Sequence, residues 1–123
     1  MSDTLKLVEQ FDTNRPIESS KTPPFAWYTD QAFYEYEVQR VFGRGWTPVG
    51  RLDQVLHPGD YFTSEVAGNP IVVVRDKTGE LRAHHNVCRH KAAIVAKQED
   101  ETQHRCEYFQ CPYHGWRFGA GVP

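Results

Sequence analysis

Apolar positions follow a helical period in one stretch of this chain and a strand period in several others. Residues 31–42 place their apolar side chains on one face of a helix, which Thr29 or Asp30 can cap and Gly43 can end. Residues 1–28 contain three prolines and therefore predict an irregular, extended arm. The pattern predicts a single short helix near the N-terminus.

After residue 43 the sequence changes to short apolar or alternating runs separated by turn residues, which is typical of β-strands. The predicted strands are Trp46–Arg51, Asp60–Val66, Pro70–Arg75, Leu81–Asn86, Cys106–Cys111 and Gly115–Phe118. Residues 76–80 predict a hairpin turn, and the polar stretch 97–104 is expected to face solvent. We therefore expect a mainly β fold, a small antiparallel barrel or sandwich over residues 44–123, preceded by an arm and helix over residues 1–43.

Length and composition limit the classes of protein to consider. A chain of 123 residues can form one hydrophobic core, and its formal charge of −2 gives no reason to expect nucleic acid or an acidic membrane as partner. No apolar run approaches the ~20 residues of a membrane span, and the first residues lack a signal-peptide layout, so we expect a cytoplasmic protein. Three cysteines are an odd set, which favours metal ligation over a disulfide framework.

Two short clusters each combine a cysteine with a histidine: Cys88 with His90, and Cys111 with His114, with twenty residues between the clusters. Two thiolates and two imidazoles can hold either a structural zinc ion or a Rieske-type [2Fe–2S] cluster. Zinc fingers usually pair Cys with Cys and His with His, whereas each loop here carries one of each, so that each could reach both irons of a binuclear cluster. The spacing favours the iron–sulfur cluster, and a zinc-stabilised module stays open as an alternative.

The segments around these clusters are similar to a known family. Residues 86–93 (NVCRHKAA) and 111–118 (CPYHGWRF) resemble the two cluster-binding boxes of Rieske non-haem iron oxygenases. Four upstream segments resemble the N-terminal region of choline monooxygenases and related oxygenase α-subunits: Lys21–Pro24, Trp27–Asp30, Val41–Phe42 and Gly45–Trp46. The resemblance implies that Cys88 and Cys111 bind the inner iron and that His90 and His114 bind the outer, more exposed iron. The spacer between the boxes is somewhat longer than the family pattern.

The same resemblance implies a function in electron transfer. Family members receive electrons from a reductase or ferredoxin and pass them to a mononuclear iron, which two histidines and a carboxylate hold in a separate catalytic domain. The remaining histidines show no helical pairing with a carboxylate that would form such a site; they are His57, His84, His85 and His104. We therefore interpret the chain as the N-terminal part of a homo-oligomeric oxidoreductase, truncated at its C-terminus and not catalytically complete alone. The substrate, a quaternary amine or an aromatic ring, stays open.

A stand-alone Rieske ferredoxin is the main alternative, although the arm and helix over residues 1–43 argue against it. The Rieske proteins of respiratory complexes add a disulfide at positions that correspond to Ala93 and Tyr113, and they carry a serine at the position of Trp116. Neither feature is present, and fewer hydrogen bonds to the cluster predict a low reduction potential, about −150 mV.

The other titratable or aromatic residues near the boxes have simpler interpretations. We expect Cys106 to be buried or inert, one of His84 and His85 to face the core, and His57 to lie in a turn. We expect His104 to be solvated in the polar loop. Trp116 is interpreted as a core residue that also screens the cluster.

Overall fold

The computed structural model describes residues 3–97 and 104–119. The chain divides into two compact units, Met1–Trp46 and Thr47–Pro123. The first is helical and the second contains both β-sheets.

The N-terminal unit contains one more helix than the sequence predicted. Helix α1 spans Asp3–Glu9, inside the stretch expected to be irregular. The first proline of the chain is Pro16, so the residues before it keep every backbone N–H that a helix needs. The carbonyl of Leu7 also accepts a hydrogen bond from the Trp27 indole at 2.9 Å, which supports a helix too short to be stable alone. Two 3₁₀ turns follow, Ile17–Ser19 and Phe25–Tyr28.

The predicted helix 31–42 forms, in two parts. Helix α2 spans Gln31–Glu37, and the Asp30 carboxylate caps it by accepting from the Phe33 backbone N–H at 2.7 Å. Residues Val38–Phe42 continue as a π-helical turn, closed by the Gly43 N–H donating to the Val38 carbonyl at 2.8 Å. The buried residue of this helix is Phe33, which stacks on Trp27 with ring centroids 4.9 Å apart.

Within its described residues, the second unit contains two antiparallel sheets. One has the strand order β3-β2-β1-β4 and the other pairs β5 with β6. The strands are β1 Asp60–Val66, β2 Asn69–Arg75, β3 Leu81–His85, β4 His104–Arg105, β5 Tyr108–Gln110 and β6 Arg117–Gly119. These positions confirm five of the six predicted strands, although β5 is shorter than predicted and β6 begins two residues later and ends one residue later. Short β4 adds a strand that the sequence did not indicate.

The predicted strand Trp46–Arg51 is wrong. This segment pairs with no strand among the described residues, and it leads into a 3₁₀ turn, Leu52–Val55. The Gln54 side chain accepts from the Arg51 backbone N–H at 2.7 Å and turns the chain there, while Trp46 is fully exposed. An alternating pattern becomes a strand only where a partner strand supplies hydrogen bonds, and residues 3–97 and 104–119 supply none for this segment.

Strand β2 lies at the centre of the core and is buried on both faces. On one face Val72 and Val74 pack with Ala96 and Phe109. On the other face Val73 packs with Val55 and Phe62. Because side chains alternate across a strand, the apolar run Ile71–Val74 serves both clusters.

Two hairpins position the first cluster box. Strands β1 and β2 are joined by Ala67 and Gly68, whose φ angles of 51° and 77° give the two-residue turn that fits the twist of the strands. Strands β2 and β3 are joined by the predicted turn at 76–80, where the Asp76 carboxylate accepts from the backbone N–H groups of Thr78 and Glu80. Strand β3 then ends at His85, so the hairpin delivers the chain directly to the first box.

The polar stretch 97–104 lies largely outside the described residues, but the expectation for His104 is wrong. His104 lies in β4 opposite Tyr61, with its ring 5.5 Å from the Tyr61 ring, and is partly buried. The neighbouring Arg105 donates to the fully buried carboxylate of Asp60 at 2.7 Å. This ion pair fixes the short strand against β1 and holds His104 in the sheet.

Candidate metal centre

The first loop follows β3 and is closed by two backbone hydrogen bonds. The Cys88 carbonyl accepts from the Ala92 N–H at 2.7 Å, and the Cys88 N–H donates to the Ala93 carbonyl at 2.8 Å. Ala92 adopts the left-handed conformation, with φ of 53°. The loop is therefore a tight turn that begins at its cysteine and carries His90 near its tip.

The second loop lies between β5 and β6 and has the same construction. The Cys111 carbonyl accepts from the Gly115 N–H at 2.9 Å, and the Cys111 N–H donates to the Trp116 carbonyl at 2.8 Å. Gly115 occupies the left-handed position, with φ of 73°, where glycine meets no steric penalty. Both loops thus begin at a cysteine, reverse direction four residues later and carry an imidazole between these points.

The two thiols are buried beside each other. Cys88 and Cys111 are each 1% exposed. The backbone N–H of Tyr113 foremost, and then that of His114 and the Cys88 thiol, lower the pKa of Cys111 against the opposing effect of burial. Backbone donors aimed at a sulfur favour its thiolate form, which is the form that binds metal.

The two imidazoles lie together on the exposed side of the loops. The ring centroids of His90 and His114 are 4.8 Å apart. The Trp116 indole lies parallel to the His90 ring, with an interplanar angle of 7° and a centroid distance of 4.8 Å. On the other side, the ring centroids of Tyr113 and His114 are 4.2 Å apart. The four rings form a continuous row in the order Trp116, His90, His114, Tyr113.

Asn86 holds the first loop in place. Its side-chain amide donates to the Ala96 carbonyl and accepts from the Ala96 N–H, both at 2.7 Å, and both residues are buried. Val87 and Ile94 form a further antiparallel bridge inside this clamp. The sequence gives no local signal for this role of Asn86, because its hydrogen-bond partner lies ten residues further along the chain.

The donor set fits a [2Fe–2S] cluster of the Rieske type. The sulfur donors form a buried pair and the nitrogen donors form an exposed pair, as required when cysteines bind one iron and histidines the other. Across residues 3–97 and 104–119, no three His, Cys, Asp or Glu side chains converge on one point that could hold a single metal ion. The four candidate donors are instead arranged as one pair of thiols and one pair of imidazoles.

A family profile agrees with this geometry: that of the Rieske [2Fe-2S] domain matches residues 45–122. The chain belongs to the Rieske [2Fe–2S] domain family. Choline monooxygenase from Arabidopsis thaliana is 44% identical over 118 residues, covering 96% of this chain and 27% of that protein. Biphenyl 2,3-dioxygenase subunit alpha from Rhodococcus jostii is 38% identical, covering 76% of this chain and 20% of the relative. This Rieske chain therefore spans about a fifth to a quarter of the length of the curated relatives that it matches.

Solved structures of two kinds of Rieske oxygenase share its fold. A quaternary ammonium Rieske monooxygenase in its apo form is 31% identical, with a TM-score of 0.75 over 83% of this chain and 29% of the solved one. Naphthalene 1,2-dioxygenase from Rhodococcus sp. is 29% identical, with a TM-score of 0.78 over 98% of this chain and 26% of the solved one. These similarities confirm the predicted Rieske fold.

Other residues of the Rieske unit differ from the site residues in their surroundings. Burial raises the pKa of the Cys106 thiol to about 11, which agrees with the expectation that it is inert. His84 is partly buried and His85 exposed, as strand alternation predicted, and burial foremost lowers the pKa of His84. The His57 backbone N–H donates to Asp60 at 2.8 Å in the turn before β1.

The interpretation of Trp116 as a core residue is wrong. Its side chain is 46% exposed, because the tight second loop turns it outward onto His90.

No helix among the described residues combines the length and apolarity needed to cross a membrane.

Proposed function

We propose that this chain binds a Rieske [2Fe–2S] cluster through Cys88 and Cys111 on one iron and His90 and His114 on the other. The observation that carries the proposal is the pair of matching loops, which bring two buried thiols and two exposed imidazoles together. The matched family supports the nature of the group, and the residue assignments follow from the position of each side chain in its loop.

Each part of the site has a distinct role in this proposal. The buried cysteines hold one end of the group away from water, and the backbone N–H groups of Tyr113 and His114 stabilise the Cys111 thiolate. The exposed imidazoles place a ligand edge at the surface, where an electron can enter or leave. When bound, the cluster supplies one-electron transfer at a potential that Rieske sites tune between about −150 and +300 mV.

We propose further that residues 44–123 form the electron-relay domain of an oxygenase of the choline monooxygenase type. The higher identity to choline monooxygenase than to the dioxygenase α-subunit favours that type over a ring-hydroxylating enzyme. The electron donor is a reductase or ferredoxin, and the acceptor is a mononuclear iron in a catalytic domain outside this chain. The complete protein is a homo-oligomeric oxidoreductase in this proposal. A cytoplasmic location stays a prediction, since the choline monooxygenases matched are described as chloroplastic.

Electron paramagnetic resonance of the anaerobically purified, dithionite-reduced chain tests the cluster assignment. We expect a rhombic signal with the low average g value of a histidine-ligated cluster. Cys111→Ser should abolish this signal, while Cys106→Ser, the matched control outside the loops, should retain it. A silent sample that contains one zinc ion per chain would refute the proposal and establish the zinc-stabilised alternative.

A further inference from the structure

One of the two exposed imidazoles is covered by an indole from the other loop. His90 belongs to the first loop and Trp116 to the second, and their rings lie 7° from parallel with centroids 4.8 Å apart. The other ring contacts at the loop tips are tilted, by 48° between His90 and His114 and by 41° between Tyr113 and His114. The indole therefore lies flat over one face of His90, and the two histidines have different surroundings.

The backbone of the second loop holds this indole in place. The Trp116 carbonyl accepts from the Cys111 N–H at 2.8 Å, which is one of the two hydrogen bonds that close the loop. The Trp116 side chain is 46% exposed and belongs to neither core cluster of the described residues. Its ring is therefore placed for contact with the imidazole and not for packing in the core.

An indole over one face of an imidazole excludes water from that face. An apolar neighbour in place of water disfavours any increase in net charge beside it. With two thiolate and two neutral imidazole ligands, an oxidised [2Fe–2S] group carries no net charge, and reduction adds one negative charge. The apolar cover over His90 therefore disfavours the reduced state, which lowers the reduction potential.

The π electrons of the indole act in the same direction. The face of an aromatic ring carries a negative electrostatic potential and attracts positive charge. An imidazole that binds a more positive iron is itself more positive, so a stacked indole favours the oxidised state. Contact over the face of the ring also restricts rotation of the His90 side chain.

We propose that Trp116 is a positioning residue that acts through His90: it fixes the orientation of this imidazole, excludes water from its covered face and thereby lowers the reduction potential of the bound cluster. This inference rests on the proposed function, since His90 is one of the two imidazole ligands in it. It adds a side chain that binds no iron to the residues that set the properties of the site.

Anaerobic redox titration of the cluster-loaded chain at a fixed neutral pH tests this inference without any turnover. In the titration, one electron passes from the reductant to the cluster, and no bond is formed or broken. Trp116→Leu should increase the equilibrium constant for reduction about three- to tenfold, which at ~59 mV per tenfold change is a rise of about 30–60 mV. Trp116→Phe keeps a flat ring that can stack on His90, so it should change this constant by less than about twofold.

Trp46→Leu is the matched control. It makes the same substitution on a fully exposed indole in the other unit and should leave the reduction potential unchanged. Because Trp116 is partly exposed and lies outside both core clusters, its variants should keep the fold, which circular dichroism can verify.

Pulsed electron paramagnetic resonance of the reduced chain gives a second measurement, since it resolves the couplings of the two ligating nitrogens. Trp116→Leu should shift or broaden one of these couplings and leave the other unchanged, because among the described histidine rings the indole stacks on His90. Trp116→Phe should restore the wild-type couplings. Equal changes in both couplings, or no change in either, would refute the positioning of His90 by Trp116.

The outcomes separate this inference from the proposed function. A wild-type chain without the signal of a histidine-ligated cluster defeats the proposed function, and this inference with it. Where the wild-type chain carries the cluster, an unchanged or lower potential in Trp116→Leu overturns the inference alone, as does an equal shift in Trp46→Leu. A purely structural role for Trp116 would lower the fraction of chains that hold a cluster without moving the potential of the loaded ones, and that result also overturns it.

Discussion

The clamp between Asn86 and Ala96 allows a sharp test of what holds the first loop. Asn86→Ala removes both 2.7 Å hydrogen bonds and leaves the N–H and carbonyl of Ala96, which is 3% exposed, without partners. Each buried polar group left unpaired costs about 1–3 kcal/mol, so the loss of both partners should lower the free energy of unfolding by about 2–6 kcal/mol. For a small domain with a total of about 5–15 kcal/mol, this loss is severe.

Urea denaturation followed by circular dichroism measures the effect, with a shift of the midpoint at constant slope as the sign of a pure stability change. Asn69→Ala is the matched control, because its amide donates only to exposed turn carbonyls, Val66 and Ala67, and should cost within about 0.5 kcal/mol. Asn86→Asp keeps the size of the side chain but places a carboxylate oxygen against the Ala96 carbonyl, so that two buried acceptors face each other. This variant should therefore also lower the free energy of unfolding. Equal midpoints for Asn86→Ala and Asn69→Ala would refute the clamp.

Four further predictions follow from individual positions. Ala67→Asn should stabilise the chain by about 1 kcal/mol, since asparagine tolerates the left-handed φ of 51° at the first position of the β1–β2 turn; thermal melting with an unchanged or lower midpoint would contradict this. The Thr78 hydroxyl foremost, with Arg82 and nearby backbone N–H groups, lowers the pKa of Asp76. The ionised Asp76 therefore stabilises the fold at neutral pH, and this stabilisation is lost as the pH falls below about 4. In acid-unfolding curves, Asp76→Asn should lack this part of the decrease in the free energy of unfolding. Iodoacetamide should modify Cys106 slowly at pH 8 and faster only as the pH approaches its pKa of about 11, as peptide mass spectrometry can show; rapid labelling at pH 8 would contradict its burial. Redox titration of the cluster-loaded chain should give a potential near the low end of the Rieske range, about −150 mV, and a value well above zero would contradict that prediction.

Much of the β fold could be predicted because the relevant signals are local. The unbroken apolar run Ile71–Val74 indicates that strand β2 is buried on both faces. The turn residues at 76–80 indicate a hairpin between two strands. The failures concern segments whose structure depends on distant partners. The segment Trp46–Arg51 has strand-like alternation, but no strand in the described part of the chain pairs with it. Strand β4 forms because Arg105 reaches the buried Asp60, a pairing that no local pattern indicates.

The sequence predicts a set of candidate ligands but not their geometry. Cysteine and histidine in two short boxes indicate the donor types, and the resemblance to a known family predicts their pairing. The sequence could not show that Trp116 turns outward to lie parallel to His90, because an indole next to a ligand fits a core position equally well. Nor could it show the Asn86 clamp, which depends on ten intervening residues returning to the same place.

The two boxes differ in spacing, yet their loops have the same backbone. One residue separates Cys88 from His90, whereas two separate Cys111 from His114. In both loops, however, the cysteine carbonyl accepts from the residue four positions later, and that residue adopts a positive φ. The extra residue therefore does not lengthen the second loop; it moves the imidazole one position further along an equivalent turn. Two equivalent turns that carry their imidazoles at successive positions allow both cysteines to lie side by side in the interior while the two rings meet at the surface, as a cluster with one buried and one exposed iron requires.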